Sequence, residues 1–205
     1  ELKELGVEVW THDEDGKQFR FSEFGGHFAG SVDGVVRGIL DGGQQPHLIE
    51  LKTYNKRRFS ELKKSESIKA HNYQHYAQMQ CYMHALGLTR ALYVAVCKDD
   101  DSIHAERVKY NHNDARLLIQ RAESIIFDPH APPAPEEAHK ECRFCDQKAV
   151  CRGADIKMSC RSCAYARPLN TGQWLCEAKD ETIFPHELAF GCALWKDVMK
   201  EEAEE

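Results

Sequence analysis

The stretch His47-Leu48-Ile49-Glu50-Leu51-Lys52-Thr53 decides the fold class, because it is a short β-prone run in which two charged residues interrupt apolar ones. Side chains of a strand alternate between its two faces, so Glu50 and Lys52 are expected to share one face while Leu51 points into the core. A glycine-containing turn separates this run from residues 28–40, whose valines and glycines also fit a strand or hairpin. The sequence therefore predicts two adjacent antiparallel strands.

Downstream, the hydrophobic pattern alternates between helix and strand. Apolar residues recur three or four apart between residues 60 and 86, which predicts a helix. Residues 91–97 are nearly all apolar, as in a strand buried on both faces, and residues 103–110 alternate like a half-buried neighbour. Asn113 is expected to cap a last helix that ends near residue 126. The side chains expected on its inner face are Leu117, Leu118 and Ile125. This order indicates an α/β layered core.

Two modules are predicted from the distribution of cysteine and proline. A chain of 205 residues can bury one ordinary core and keep about 50 residues for an appendage. Seven of the nine cysteines lie beyond residue 140, and residues 128–135 are too rich in proline for helix or sheet. We therefore predict a catalytic core over residues 1–135 and a small Cys-rich metal-binding module over residues 136–205.

The charge balance limits how the chain can meet an anionic polymer. The formal net charge is -6, so a global positive field is excluded and any contact with nucleic acid must be local. The sequence has no run of about 18 apolar residues, so no membrane association is predicted. It also shows no signal-peptide pattern, and we expect an intracellular protein.

The charged residues of the first stretch suggest metal-dependent chemistry. Asp33 precedes Glu50 by 17 residues on the neighbouring predicted strand, so two acids and Lys52 are expected on one face. Phosphodiester hydrolysis uses this combination, because carboxylates hold Mg²⁺ or Mn²⁺ and a lysine can orient water or offset developing charge. The Leu51 carbonyl oxygen is a further candidate ligand. A surface ion pair also explains the spacing, but charges inside a short apolar strand are costly unless they pair or bind metal.

Three ordered segments resemble the PD-(D/E)XK exonucleases of phages, in particular their YqaJ and RecB-like branches. They are Gly26-His27-Phe28-Ala29-Gly30-Ser31-Val32-Asp33-Gly34-Val35, Ile49-Glu50-Leu51-Lys52-Thr53 and His75-Tyr76-Ala77-Gln78-Met79-Gln80-Cys81-Tyr82-Met83. The resemblance implies a restriction-endonuclease-like α/β core, with a central mixed sheet flanked by helices. It implies that Asp33 and Glu50 bind the metal and that Lys52 is the catalytic lysine. Gln78, or Gln80, matches the glutamine that such enzymes place beside the active site.

Three histidines are weaker candidates for the same site. Regular alternation places His27 on the face of Asp33, so a ligand or substrate-contacting role and a structural role are both open. His71 and His75 lie four residues apart on the predicted helix and could bind a metal. Without a further acid in register, substrate contact or a plain surface position is favoured for this pair.

Basic residues concentrate directly after the catalytic motif, where a positive patch would grip phosphates even on an acidic protein. The residues predicted to contact DNA are Lys56, Arg57, Arg58, Gln80 and Tyr82. A solvated helix face explains the basic residues equally well. Tyr54 and Phe59 could stack on unpaired bases, although buried aromatic residues are commoner.

The C-terminal cysteines fit metal sites better than disulfides in an intracellular chain. One set, a structural Zn²⁺ site with His186 as substitute ligand and Trp174 packed over it, consists of Cys160, Cys163, Cys176 and Cys192. A second set, which fits a Cys3His zinc site, consists of His139, Cys142, Cys145 and Cys151. Its cysteine spacing also resembles the last three [4Fe-4S] ligands of RecB-like nucleases, including CRISPR-adaptation nucleases, but this chain offers no fourth cysteine upstream.

We therefore expect a Mg²⁺- or Mn²⁺-dependent deoxyribonuclease, an exonuclease that acts on linear or single-stranded DNA ends in phage recombination or replication. If it is phage-encoded, it acts in the cytoplasm of a bacterial host. A recombination or single-strand-binding protein is a candidate partner, and an oligomer is compatible with this function. The alternatives are a zinc-dependent DNA-binding or assembly module with a vestigial nuclease centre, a CRISPR-adaptation-type iron-sulfur nuclease and an iron-sulfur redox protein.

Overall fold

The computed structural model describes residues 2–40, 42–129 and 140–200. The chain forms two compact units. The first comprises the chain up to Ser22 together with Ala29–Arg121, and the second comprises Glu23–Phe28 together with the chain from Ala122 onward. The predicted module boundary at residue 135 lies outside the described residues. Within the described ranges, no helix is long and apolar enough to cross a membrane.

The first unit is an α/β structure built on a mixed sheet. Its strands are β1 (Glu8–Trp10), β2 (Arg20–Glu23), β3 (Phe28–Ser31), β4 (Gly34–Arg37), β5 (His47–Tyr54), β6 (Arg90–Cys97) and β7 (Ile103–Lys109). Its helices are α1 (Lys56–Lys64), α2 (Ile68–His71), α3 (Tyr73–Leu86) and α4 (His112–Phe127). Five strands form the central sheet in the order β1-β4-β5-β6-β7, while β2 and β3 pair separately. The predicted mixed sheet flanked by helices is confirmed.

The central sheet contains one parallel pair. Strand β4 pairs with β5 in antiparallel fashion, as predicted, and β6 pairs with β7 in the same way. Strands β5 and β6 run parallel, so the chain must cross over between them, and it does so through α1, α2 and α3. These three helices replace the single helix predicted over residues 60–86. The break occurs because the Ser67 and Asn72 side chains accept hydrogen bonds from downstream backbone amides and start new helices.

Both faces of the central sheet are covered by apolar residues. On one face, Val7, Val36, Ile39 and Ile49 form a buried cluster. On β6, Ala91, Tyr93, Ala95 and Cys97 are fully buried, as are Met79 and Met83 of α3. The sheet therefore holds its central strands in a low-dielectric environment, in which any charged side chain is expensive unless it has a partner.

Helix α4 differs from its prediction in its cap and in its inner face. Asn111, not Asn113, is the capping residue, because its Oδ1 accepts from the Asp114 amide at 3.1 Å. Leu117 and Ile125 are 58% and 55% exposed, so their predicted inward positions are wrong. The helix carries apolar residues on two faces, and Ala115, which is fully buried, marks the face that packs inward. Hydrophobic periodicity alone could not choose between those faces.

The second unit has a small antiparallel sheet near its C-terminal end. Its elements are α5 (Lys148–Cys151), β8 (Ala166–Pro168), β9 (Trp174–Cys176) and β10 (Glu181–Ile183), and the strand order is β10-β9-β8. Its buried cluster consists of Ala166, Ile183 and Leu188, with Trp174 and three cysteines packed against it. A core of this size stabilises a segment only weakly, so such modules commonly depend on metal or disulfide cross-links.

Candidate functional site

The candidate site begins where the pairing between β4 and β5 ends. The last residue pair of this ladder is Gly34 with Ile49. Two residues further along β5, the Leu51 N–H donates instead to Asp33 Oδ2 at 2.8 Å. A carboxylate thus takes the place of the backbone carbonyl that a longer β4 would have supplied. This hydrogen bond holds Asp33 beside the middle of β5, next to Glu50.

Gly34 makes the end of this ladder sterically possible. Its φ is +156°, and an added Cβ atom would lie 2.6 Å from the Trp10 carbonyl oxygen on β1. A residue with a side chain at position 34 would therefore push β1 and β4 apart. Since Asp33 is the preceding residue, this close approach also determines where its carboxylate lies.

Glu50 and Lys52 lie on one face of β5, as predicted. The Glu50 side chain is 1% exposed, and its Oε1 accepts from Lys52 Nζ in an ion pair. Its other oxygen, Oε2, is buried and has no hydrogen-bond partner among the described residues. Burial raises the pKa of the Glu50 carboxyl, Lys52 opposes this change, and the charge of nearby Asp33 raises the pKa further. Two repelling carboxylates and an unpartnered buried oxygen are the features that a bound cation would stabilise.

The donor set therefore fits a divalent cation bound by oxygen. Asp33 and Glu50 would hold it, with Lys52 beside them. Among the described residues, no group of three or more His, Cys, Asp or Glu side chains is arranged to hold a metal ion, so water, substrate or main-chain oxygens would complete the coordination. The Leu51 carbonyl remains a predicted ligand. Its side chain does not enter the core as predicted but is 50% exposed, because it lies beyond the end of β4.

A buried hydrogen-bonded network extends the same face of the sheet. Tyr54 follows Lys52 by two residues on β5, and Tyr93 is the residue of β6 paired with Glu50. Their hydroxyl groups lie 2.8 Å apart, and both contact His75 Nδ1 of α3, at 3.3 Å from Tyr54 and 3.1 Å from Tyr93. The network therefore joins α3 to the two strands beside the acidic pair. Stacking of Tyr54 on DNA bases, proposed from sequence, is wrong because this ring is only 6% exposed.

The cap of α3 determines the protonation of His75. Asn72 Oδ1 accepts from the backbone amides of Gln74 and His75, so Asn72 Nδ2 is left to donate to His75 Nε2 at 3.3 Å. His75 Nε2 is then an acceptor, and the neutral ring carries its proton on Nδ1, from which it donates to a tyrosine hydroxyl. Burial lowers the pKa of His75 to about 4, and the charge of Lys52 adds to this effect. His75 is thus a neutral structural link and not a metal ligand.

Sequence reasoning missed Tyr93. Within the apolar residues 91–97 it looks like one more core residue, and its hydroxyl gains meaning only through the pairing of β6 with β5. A tyrosine in a strand that is otherwise aliphatic was the available signal, because a buried hydroxyl needs a partner.

The two candidate glutamines of α3 have different environments. Gln78 donates to the Tyr82 hydroxyl at 3.0 Å, and it follows His75 by three residues, which places both on one side of the helix. Gln80 is fully buried; it donates to the Lys109 carbonyl and accepts from the Asn111 amide. Gln80 therefore cannot contact DNA as predicted, because its side chain is occupied by the backbone. Tyr82 is 9% exposed, which limits any DNA contact to the edge of its ring.

The basic residues after β5 are displayed on the first turn of α1. Lys56, Arg57 and Arg58 are all exposed, and Asn55 Oδ1 caps the helix by accepting from the Arg58 amide at 2.9 Å. The start of α1 already has anionic partners, because the Lys56 amide donates to Asp99 Oδ2 and Lys56 Nζ lies 3.7 Å from Asp100 Oδ2. Phe59 is 4% exposed and packs inward, which is the commoner of the two environments considered for it and excludes stacking on bases.

His27 belongs to the second unit. Its Nε2 donates to the Leu169 carbonyl at 3.2 Å, and its ring meets the Trp174 ring edge-on at 5.7 Å. The side chain is therefore held by the C-terminal part of the chain. A catalytic role for His27 remains a prediction.

Four of the predicted zinc ligands line one small cavity. Cys160, Cys163, Cys176 and Cys192 border a volume of about 20 Å³, together with Trp195. All nine cysteines fall within the described ranges, and none forms a disulfide. Burial raises the pKa of the Cys160 thiol, and the other three thiols of this cavity raise it further. His186 does not line the cavity but stacks on Phe184 at 6.0 Å.

The second set of cysteines is more open. Cys145 and Cys151 are exposed, whereas Cys142 is partly buried. The Cys145 amide lies 3.5 Å from the Cys142 carbonyl, which is the tight turn expected of a C-x2-C segment. His139 lies outside the described residues, so the fourth ligand stays a prediction.

Because the folded protein keeps His75 neutral, we expect its free energy of unfolding to depend on pH. Below pH 6.5 the unfolded chain takes up a proton at this residue, whereas the folded chain does so only near pH 4, so stability is lost as the pH falls through this window. We expect His75→Gln to show a smaller loss of melting temperature than the wild type between pH 7 and pH 5, measured by circular dichroism. His84→Gln, at an exposed position of the same helix, is the control and should keep the wild-type slope. Equal slopes for wild type and His75→Gln would contradict the assignment.

Because the Glu50 carboxylate is desolvated, we expect its removal to abolish metal binding without lowering the melting temperature of the metal-free protein. Glu50→Gln removes the buried charge and keeps an oxygen that can accept from Lys52, so without added Mg²⁺ it should melt at or above the wild-type temperature. Mg²⁺ at about 100 times its Kd stabilises by about 2.7 kcal/mol, and this gain should appear in the wild type and in the exposed control Glu61→Gln only. A Glu50→Gln variant that melts lower and still responds to Mg²⁺ would refute the metal-ligand role.

The chain is similar to one known protein family and to a few solved structures. The family model of the PD-(D/E)XK nuclease superfamily matches residues 3–152. No curated protein matches the sequence. The solved structure of SSO0001 is 19% identical, with a TM-score of 0.39 over 74% of this chain and 59% of that one. An alkaline exonuclease from Laribacter hongkongensis, LHK-Exo, is 21% identical, with a TM-score of 0.40 over 60% of this chain and 61% of that one.

A complex of LHK-Exo with dAMP is 18% identical, with a TM-score of 0.40 over 60% of each chain. The chain thus spans less than two thirds of the length of these structures. The family match, by contrast, covers most of the chain and includes Asp33, Glu50, Lys52 and Gln78. The protein belongs to the PD-(D/E)XK nuclease superfamily.

Proposed function

We propose that the protein is a Mg²⁺- or Mn²⁺-dependent deoxyribonuclease that degrades DNA from a strand end. The observation that carries this proposal is the buried Glu50 carboxylate, which keeps one oxygen without a partner beside Asp33 while the other is paired with Lys52. A protein that used this strand only for structure would gain stability by replacing the charged pair with apolar residues. Two acids and a lysine in a buried strand are instead the arrangement that phosphodiester hydrolysis uses.

Each residue of the catalytic centre has a separate proposed role. When bound, the divalent metal supplies Lewis acidity toward the phosphoryl oxygen and lowers the pKa of a water molecule. Asp33, held beside β5 by the Leu51 amide, and Glu50 on β5 would hold the metal at the scissile phosphate. Lys52, whose side chain is 26% exposed, reaches solvent from the buried pair and can orient the attacking water or offset charge on the transition state.

DNA is the proposed substrate because the exposed basic turn of α1 starts four residues after Lys52. Lys56, Arg57 and Arg58 would contact phosphates next to the scissile one, and Gln78 would contact the nucleotide at the metal centre. The exonuclease mode, a role in phage recombination or replication, an oligomeric state and a recombination or single-strand-binding partner rest on the resemblance of the three sequence motifs to phage exonucleases.

Digestion of end-labelled linear DNA and closed circular DNA tests the proposal. With Mg²⁺ or Mn²⁺ we expect only the linear substrate to be lost. Lys52→Ala should reduce the rate by about 100-fold or more, since a positioned acid-base or electrostatic group contributes on that order. Lys98→Ala, which removes an exposed lysine outside the site, should cut at the wild-type rate.

Other outcomes separate the alternatives. Cleavage of the circular substrate would show that the protein is an endonuclease that uses the same catalytic centre. If neither substrate is cut under any metal condition while DNA is still bound, the chain is better described as a DNA-binding module with a vestigial nuclease centre.

We further propose that Cys160, Cys163, Cys176 and Cys192 bind one structural Zn²⁺ by moving closer together around it, since the described thiols are not arranged as a metal site. The four thiols come from separate parts of the second unit, namely the turn before β8, the end of β9 and the segment after β10, and they line one cavity. Four thiolates are the donor set of structural zinc sites, and a Zn²⁺ ion would stabilise a unit whose apolar core is small.

Trp195 supports this assignment. Its indole nitrogen is buried without a hydrogen-bond partner among the described residues, and the residue lines the same cavity as the four thiols. A buried indole N–H needs an acceptor. Metal-bound thiolates are negatively charged acceptors, and groups that donate to metal ligands commonly orient them. Zinc binding would therefore satisfy a donor that the metal-free fold leaves unpaired.

Metal analysis of the purified chain tests the zinc proposal. We expect one equivalent of zinc that is lost in Cys176→Ser, together with a lower melting temperature, and retained in the control Cys145→Ser. Zinc that is retained in Cys176→Ser and lost in Cys145→Ser would move the site to the second cysteine set. Brown protein whose iron is lost in Cys145→Ser would instead support the iron-sulfur alternative.

A further inference from the structure

A second cavity lies within the second unit, apart from the four thiols. It has a volume of about 450 Å³, and the residues that line it include His27, Trp174, Phe184, Arg161, Gly25 and Gly172. Small-molecule sites commonly fall between about 300 and 1,000 Å³. The cavity is therefore large enough for one nucleotide.

The charge of this cavity is opposite to that of the chain. The sequence has 33 acidic residues and a net charge of -6. Among the described residues that line the cavity there is no Asp or Glu, whereas Arg161 supplies a cation and Gln173 and Thr182 supply uncharged polar groups. A cavity that excludes carboxylates in an acidic protein is suited to an anion, and an arginine can bind a phosphate through two parallel hydrogen bonds.

The aromatic walls are suited to a planar ring. Trp174 is partly buried because it packs against the Ala166, Ile183 and Leu188 cluster, so its indole has a fixed position. Phe184, which follows β10 directly, also lines the cavity and is 58% exposed, although its ring stacks on His186. Aromatic side chains of this kind bind nucleobases by stacking, irrespective of base identity.

The cavity is also held in shape before any ligand binds. Gly25 and Gly172 have φ of +66° and +86°, and a Cβ atom on Gly25 would lie 2.6 Å from the Asn170 carbonyl oxygen. Backbone therefore packs directly on backbone at this wall, which only glycine allows. The His27 ring is fixed in the same region by its hydrogen bond to the Leu169 carbonyl.

We propose that this cavity binds one nucleotide of a single DNA strand, with the base against Trp174 and Phe184 and the phosphate at Arg161. The inference rests on the proposed function, from which it takes DNA as the substrate. It assigns His27 to the wall of a strand-binding site and not to the metal centre. The cavity would hold single-stranded DNA without reading its sequence, because none of these contacts depends on which base is present.

Titration of intrinsic tryptophan fluorescence with an eight-nucleotide oligothymidylate, in buffer without added divalent metal, tests the proposal. The oligonucleotide should quench the wild type, and the quenching should disappear in Trp174→Phe. Arg161→Gln and Phe184→Ala should each weaken binding about fivefold or more. Arg161→Gln should also lower the slope of log K against log salt by about 0.7, the value for one phosphate contact on a single strand.

Two matched variants control for charge and for ring loss. Arg167→Gln removes an arginine of the same unit that is paired with Glu177, and Phe190→Ala removes a ring that is 69% exposed but does not line this cavity. Both should bind like the wild type. Circular dichroism verifies that every variant is folded.

The outcomes for this cavity and for the nuclease centre are independent. Unchanged affinity in both Arg161→Gln and Phe184→Ala would overturn the cavity proposal even if linear DNA is degraded. Dependence of binding on Arg161 and Phe184 would uphold it even if no DNA is cut. Equal affinity for thymidine monophosphate and for the oligonucleotide would overturn the assignment to a strand and identify a site for free nucleotides.

Discussion

The desolvation of Glu50 is the constraint on which the arrangement of the first unit depends. A carboxylate that is 1% exposed needs compensation, and the fold provides it for one of the two oxygens. Lys52 pairs with Oε1, whereas Oε2 has no hydrogen-bond partner among the described residues and is left for a ligand. Natural cores tolerate such a group only where a function requires it, because an apolar replacement would usually be more stable.

This constraint explains why β5 is central and why β6 runs parallel to it. A parallel neighbour requires a crossover, and the crossover delivers α1 and α3 to the strand that carries the acids. One helix brings exposed cations directly after β5, and the other brings His75 and Gln78 over the same face. The contacts of His75 Nδ1 with the Tyr54 and Tyr93 hydroxyl groups then fix α3 in register with the strands.

The second unit follows a different physical rule. It has short strands and a small apolar cluster, so its stability cannot come from core volume alone. Glycines packed backbone to backbone bring its segments close together, and the proposed Zn²⁺ would cross-link the four thiols that line one cavity. Because its core is small, this unit also has aromatic and basic side chains at its surface, where ligands can contact them.

The local pattern of residues 47–53 was enough to predict a strand with Glu50 and Lys52 on one face, and the β-prone residues 28–40 with the glycine turn after them were enough to predict an antiparallel neighbour. Both follow from short-range patterns such as the two-residue period of a strand, which need no knowledge of the rest of the chain. Tertiary structure decided the inner face of α4, the burial of Gln80 and Tyr54, the exposure of Leu51 and the contacts of the Tyr93 hydroxyl with Tyr54 and His75. These depend on which elements pack together, and residues far apart in sequence determine that packing.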